Sequence, residues 1–355
     1  MVMQHRHAFR MMQERLHELA AATIACEEKQ QPERWAHIGH AERAKRLQDE
    51  VFHLRFLAEA MVLGDEKLFL EHVGWAKICH AGLHQPDTQL DASLHCLHEV
   101  LREYLPADSV SVIKAYLESA IQQLAEMPVL QPSFLHPDAP LASLASAYLD
   151  ALLSEKPRDA SLLIFQAVEQ GTDIKQLYLH VFQPTQYEIG RLWQMGNIGI
   201  AQEHYCTAAT RTLIAQLFPR TFARPTRKTL IVTCIEGELH ELGAHIVSAF
   251  MQMVGWETYD LGANTPSDSV LQMVQARKAD LLAISATMPY HVHAVEELIT
   301  RVHAAMGQAV KILVGGYPFN IDPLLWQRVG ADGSAHDAQG AVDVAKVLLN
   351  DTEAY

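Results

Sequence analysis

The stretch GELHELGAH, residues 237–245, sets Glu238 two residues before His240. An imidazole in a loop can bind a transition metal through one ring nitrogen. A carboxylate on the other nitrogen fixes the tautomer and raises the basicity of the ligand. Upstream, RLWQMGNIGIAQEHYC, residues 191–206, sets Trp193 nine residues before the pair Glu203 and His204, across a Gly-Asn-Ile-Gly turn. An indole ending one helix and a Glu-His pair opening the next can converge over one spot. The glutamate is also favourable in a first helical turn, where it meets the positive end of the helix dipole.

These residues need elements to position them. TLIVTCI (229–235), ADLLAISAT (279–287) and VKILVGG (310–316) are short apolar runs rich in branched residues. Amphipathic stretches at 241–254, 266–278 and 291–306 separate them, and shorter strands are expected near 258–261 and 332–334. Strands alternating with helices predict right-handed βαβ units and a parallel sheet, so the C-terminal part reads as a small doubly wound, flavodoxin-like or Rossmann-like α/β domain. Such sheets bind ligands beyond the carboxyl ends of their strands. His240 follows the first strand, Ser285 and Thr287 the third, and Gly315 and Gly316 the fourth. Paired glycines there would let backbone approach a flat ligand. Gly243 is expected where the following helix begins and packs tightly.

Before the sheet the pattern is helical. Residues 1–127 carry apolar positions at three- and four-residue spacing, with a turn at Gly64 and Asp65. MPVLQPSFLHPDAP (127–140) holds four prolines and reads as a linker. Residues 141–219 suggest a bundle of about four helices, with Pro184 near a helix start and Pro219 at the last helix end. The expected domains are 1–135 (all-α sensor), 136–224 (four-helix-bundle cap) and 225–355 (α/β).

The bulk numbers narrow the function classes. The chain has 355 residues and a formal charge of −14, with no Lys/Arg cluster, which argues against direct nucleic-acid binding. No apolar run is long enough to span a bilayer, and MVMQHRHAFR lacks a signal-peptide core, so a cytoplasmic protein is expected. Five Cys, an odd count never spaced as CxxC, argue against a disulfide framework or a thiolate zinc site. The 20 His supply many potential metal ligands. No catalytic nucleophile or general base stands out, which suggests a non-enzyme.

The combination E-L-H-E-L-G, S-A-T and G-G at three strand ends resembles the cobalamin-binding domain of methionine synthase and its relatives, over roughly 228–350. That resemblance implies a corrinoid with His240 as lower cobalt ligand and Glu238 as its orienting partner. Ser285, Thr287, Gly315 and Gly316 would line a slot for the displaced nucleotide base. Glu238 stands where that family usually has Asp, and the resemblance implies a supporting hydroxyl from a position near Tyr290 or His291. The Trp-x9-Glu-His spacing, with YEIGRLW and AQEHYCTAAT around it, resembles the adenosylcobalamin-dependent photoreceptors, over about 141–220. It implies adenosylcobalamin as chromophore, with Trp193, Glu203 and His204 against the adenosyl group. Light would break the cobalt–carbon bond and change the oligomeric state of a homo-oligomer or the activity of a signalling effector. Those repressors have a histidine directly after the tryptophan; here it is Gln194, so His204 or water would take the cobalt afterwards. The alternative reading is a corrinoid methyl-carrier protein of a methyltransferase system.

Residues 1–127 hold eleven of the 20 His and two Trp. Their place before a cobalamin module resembles the photocobilins, whose globin-like domain binds a bilin such as biliverdin. That resemblance offers Arg55, His72, Trp75, His80 and His84 as bilin contacts. Read alone, Cys79 suits a small buried residue, and His80 and His84, at helical spacing, suit an exposed face.

Overall fold

The computed structural model describes residues 2–220 and 223–350. It divides into two compact units, 1–131 and 132–355, and the break falls inside the proline-bearing stretch. The first unit is helical: α1 (Val2–Glu14), α2 (Leu16–Gln30), α3 (His40–Leu63), α4 (Glu66–Gly82), α5 (Asp87–Tyr104) and α6 (Ala107–Leu124). Gly64 ends α3 at φ +65°, a left-handed conformation that glycine adopts without a steric penalty. Asp65 then caps α4, accepting the Lys67 amide proton at 3.1 Å. Leu54, Leu57, Met61, Phe69, Leu94, Leu97 and Leu117 are fully buried and form the apolar interior. Cys26 and Cys96 form a disulfide between α2 and α5, with Cα atoms 5.7 Å apart. The sequence argued against a disulfide framework and offered no pair; an odd count leaves room for this one bridge, and only the packing of α2 on α5 brings the two cysteines together.

This interior also buries acid. The Ser93 hydroxyl donates to Glu50 Oε1 at 2.6 Å, and Glu27 is buried beside it. Burial pushes the Glu27 carboxyl up to about 7, and burial with the Glu27 charge raises Glu50 well above the carboxylate range. A carboxyl raised by folding stabilises the fold at low pH and loses that contribution as pH rises to its folded value. Buried neutral His53, lowered to about 3, costs stability only below its unfolded value of 6.5. In the window from about pH 6.5 upward the raised Glu27 and Glu50 carboxyls, joined by the raised imidazoles of His240 and His245, set the slope. Thermal melts should show stability falling on the order of 1 kcal/mol across that window. Glu50→Gln should flatten the fall and raise the midpoint at the alkaline end. An unchanged slope would contradict the account.

The second unit begins with a cap of four longer helices, α7 (Ala142–Leu153), α8 (Pro157–Glu169), α9 (Gln183–Gln194) and α10 (Ile200–Leu217). A short helix, Ile174–Leu177, and one π-helical turn, Tyr178–Phe182, lead directly into α9. Pro184 sits in the first turn of α9, where a missing amide proton costs least. The α/β part follows: β1 (Thr229–Cys234), α11 (Leu242–Met253), β2 (Glu257–Asp260), α12 (Ser267–Arg277), β3 (Leu281–Ser285), α13 (Val292–Met306), β4 (Lys311–Gly315), β5 (Gly333–Ala335) and α14 (Ala338–Leu348). The five strands are parallel in the order β2-β1-β3-β4-β5, the flavodoxin-like winding. Register sets Cys234 beside Ser285, Ser285 beside Gly315 and Gly315 beside Ala335, one row across the carboxyl edge. Cap and sheet share a core. Tyr178 meets both Phe182 and Phe250 of α11 edge-on, at 5.4 and 5.9 Å between ring centroids. Among the described residues no helix is long and apolar enough to cross a membrane.

Candidate corrinoid site

The strand order reverses at β1 and β3, and the site lies there. β1 ends at Cys234, and the chain reaches α11 through a loop containing Glu238 and His240. Asn264, from the loop after β2, holds that loop twice: its Oδ1 accepts the Gly237 amide at 2.8 Å, and its own amide donates to the Glu238 carbonyl at 2.8 Å. Glu238 is fully buried. Its Oε1 lies 2.5 Å from His240 Nδ1 and accepts the His240 amide at 3.0 Å. Its Oε2 accepts the amides of Thr287 and Met288, at 2.7 and 2.9 Å, and faces His291 Nδ1 at 3.3 Å. The longer carboxylate thus reaches the imidazole, and at the expected position the supporting group is the His291 imidazole rather than a hydroxyl.

Burial alone would raise the Glu238 carboxyl, but the hydrogen bonds from His240 and His291 hold it far below the carboxylate range. The same bond from Glu238, with a further contribution from the Glu203 charge, raises the His240 imidazole above its ordinary value against the effect of burial. The His240 side chain is 60% exposed. One nitrogen is therefore fixed on a buried anion, and the other edge of the ring is open to a ligand. A ligating imidazole must be neutral, so a cobalt held by His240 would compete with a proton there. Corrinoid binding should weaken as pH falls through the raised His240 value. Glu238→Gln should move that midpoint down towards 6.5 and cost about 10–100-fold in affinity above it. A spectroscopic titration checks this, and an unmoved midpoint would remove Glu238 from the role.

Gly316, at φ +108°, would set a Cβ 2.0 Å from the Ala286 carbonyl oxygen, and a Cβ on Gly315 would lie 3.3 Å from the Ala335 carbonyl. Gly316 is therefore required by the crossing of backbone at the ends of β3 and β4, whereas at Gly315 the contact with β5 is only tight; both leave that edge without side chains. Gly243 departs from expectation. A Cβ there meets nothing within 4 Å, so packing does not demand glycine, and the position faces open space at the start of α11.

Trp193 is half-buried near the end of α9, and Gln194 beside it is only 6% exposed. Glu203 and His204 lie in the opening turns of α10, with His204 Nδ1 2.5 Å from Glu203 Oε2. Further along α10, Arg211 bonds Glu241, the neighbour of His240. Glu241 Oε2 also accepts the Ala263 amide at 3.2 Å, and His245 on α11 bonds Asp260 at the end of β2. Three of these residues, Arg211, Glu241 and Asn264, are not picked out as site residues by sequence reasoning, which named only His291 among the supporting groups. Arg211 and Asn264 act on the His240 loop from distant segments, and only Glu241, next to His240, carries a local signal.

The bilin candidates lie in the unit 1–131. His72 on α4 is buried, with Nε2 2.8 Å from His53 Nδ1 and its ring stacked on Phe56 at 3.8 Å. Trp75 is 41% exposed, Arg55 is half-buried on α3, and His80 is buried. His84 is exposed at φ +56°. His80 and His84 therefore do not share an exposed helical face, because α4 ends at Gly82 between them. Cys79 is partly buried, and burial pushes its thiol up to about 12.

Among the described residues no three His, Cys, Asp or Glu side chains gather as a ready metal site. A corrinoid fits what is present, since its ring supplies the equatorial cobalt ligands and needs one oriented axial donor. His240 offers such a donor, at a sheet edge cleared by Gly315 and Gly316. Residues 228–344 match the B12 binding domain family, and residues 144–217 match a second B12 binding domain family. Dimethylamine corrinoid protein 2 of Methanosarcina acetivorans is 30% identical over 170 residues, 46% of this chain and 76% of that protein. Dimethylamine corrinoid protein 2 of Methanosarcina mazei is 26% identical over 206 residues, 56% of this chain and 94% of that protein. The solved monomethylamine corrinoid protein of Methanosarcina barkeri shares the fold at TM-score 0.53 and 20% identity, over 58% of this chain and 98% of that one. Residues 1–131 lie outside both matched stretches. With its helical cap, its five-stranded parallel sheet and a carboxylate-held histidine at the switch point, the chain belongs to the family of B12-binding corrinoid proteins.

Proposed function

We propose that the unit 132–355 is a corrinoid carrier, which holds the cofactor by His240 and receives and hands on a one-carbon group beneath the cap. The observation that carries this reading is His240 itself, 60% exposed and tied through Nδ1 to a fully buried carboxylate at the sheet edge. When bound, the corrinoid supplies a cobalt that accepts and releases a carbon ligand at its upper axial position. The protein would hold the Nδ1 proton on the side of Glu238 and keep the other ring nitrogen available, with α9 and α10 of the cap supplying Trp193, Glu203 and His204. None of this needs a nucleophile or general base from the chain. Bond-making then belongs to a partner, for which a methyltransferase is the matching class. The methylamine corrinoid relatives support a methyl cargo over the light-driven adenosyl reading.

A specific observation favours a second reading. Trp193 and the Glu203–His204 pair lie on the two cap helices that flank one turn, and Arg211 further along the second helix bonds Glu241 beside His240. That arrangement suits a bulky adenosyl group and photolysis of its bond to cobalt. Biliverdin in 1–131 belongs to the same reading, with His72 Nδ1 buried and lacking a hydrogen-bond partner. One experiment separates the two. The full chain is titrated in the dark with methylcobalamin and adenosylcobalamin, then exposed to green light and sized. The carrier reading expects methylcobalamin to bind at least as tightly, with no change of size on illumination. An adenosyl preference that Trp193→Ala removes, together with a light-dependent change of size, would replace it by the photoreceptor reading.

A further inference from the structure

His240 is presented by a loop that burial does not hold. Leu239 and His240 are both exposed, so neither packs into a core. The segment after β2, residues 262–267, grips the loop instead. The Ala263 amide donates to Glu241 Oε2 at 3.2 Å, and the Ser267 amide donates to Glu236 Oε2 at 3.3 Å. The two bonds between these belong to Asn264. Its Oδ1 accepts the Gly237 amide, and its own amide donates to the Glu238 carbonyl, both at 2.8 Å. The Glu238 amide donates in turn to the Ile235 carbonyl at 2.9 Å, so the backbone of Glu238 is tied on both sides. A Cβ on Gly237 would lie 3.0 Å from His291 Nε2, so the stretch that Asn264 holds also runs against the ring facing Glu238 Oε2. Asn264 sits at φ +50°, a left-handed conformation that Gly, Asn and Asp adopt more readily than other residues.

We propose that Asn264 is a positioning residue of the corrinoid site, acting through Glu238 to set how His240 is presented to cobalt. The inference rests on the corrinoid-binding reading above. A ligating side chain must be held to within about 0.5 Å of its productive place, and its orienting partner must be held as well. The Glu238 carboxylate stands at the end of a flexible side chain. A small rotation of its backbone therefore carries the carboxylate off His240 Nδ1. Asn264 bonds one peptide group ahead of Gly237 and another after Glu238, so it fixes both residues between them. The clamp comes from a residue that touches neither imidazole. Its left-handed backbone aims the amide, while its side chain supplies the acceptor, so the two contributions can be separated by substitution.

The test uses the full chain and hydroxocobalamin, with affinity read by spectroscopic titration at a temperature where circular dichroism shows every variant folded. Asn264→Gly keeps the left-handed backbone and the amide but removes Oδ1, and it should bind about tenfold more weakly. Asn264→Asp keeps the backbone and an acceptor oxygen, and it should restore most of that loss. Glu238→Gln has already weakened the tie that Asn264 positions. Adding Asn264→Gly to it should therefore cost no more than about twofold further. Wild-type affinity in Asn264→Gly would overturn the proposal. So would a loss that Asn264→Asp shares in full, or one that adds in full to that of Glu238→Gln, since Asn264 would then act independently of the carboxylate. These results would leave the corrinoid reading intact. A wild type that fails to bind hydroxocobalamin would overturn both.

Discussion

His240→Ala is expected to abolish His-on corrinoid binding. A methyl group offers no lone pair, and no neighbouring side chain can replace it, since His291 already faces Glu238 and His245 already bonds Asp260. The loss should exceed the roughly 10–100-fold expected for removing the orienting carboxylate. The fold should survive, because the ring is mostly exposed and packs little. The substitution even removes a proton-binding group whose raised value favours the folded state only at lower pH, where it is charged against Glu238. At alkaline pH the thermal midpoint should therefore stay close to wild type while the cobalt spectrum shifts to that of free cofactor. An unaltered bound spectrum would show that another residue holds the lower face.

The largest effect on stability should come from Gly316→Ala. The residue sits at φ +108°, a region L-residues rarely adopt, and its new Cβ would stand 2.0 Å from the Ala286 carbonyl oxygen and 2.7 Å from the carbonyl carbon. Backbone strain of this kind costs about 1–3 kcal/mol, and the clash is with backbone that cannot rotate aside. A loss of roughly 3 kcal/mol or more is expected from denaturant unfolding. Gly243→Ala is the matched control. It sits on α11 with nothing within 4 Å, so it should be neutral or slightly stabilising. If both glycines tolerate alanine equally, the account of the strand-end crossing fails.

Much of the α/β architecture was legible in the chain itself. Short branched apolar runs alternating with amphipathic stretches leave a parallel sheet as the only economical way to bury both faces, and chirality restricts how the units wind. The His240 loop was legible for the same reason. Position after a strand decides that a side chain faces the ligand edge, and Glu238 lies close enough in sequence to be its partner. The helical character of the cap and of 1–131 followed from three- and four-residue spacing alone.

Tertiary structure decided what depends on residues far apart in sequence. His291 supports Glu238 from 53 positions away, Asn264 clamps the loop from beyond β2, and Arg211 reaches Glu241 across 30 residues. Hydrogen bonds of that kind leave no periodic trace. The disulfide between Cys26 and Cys96 was hidden because spacing says nothing about two cysteines 70 residues apart on different helices. The reason for Gly316 was hidden too, since its constraint is the Ala286 carbonyl of a neighbouring strand end. The two histidines of the site make the same division. Sequence placed Glu203 before His204 and Glu238 before His240, and adjacency alone determined each carboxylate–imidazole pair. That the face of α10 beside His204 runs along the loop of His240 was settled only when Arg211 met Glu241 and the cap packed Tyr178 and Phe182 against Phe250.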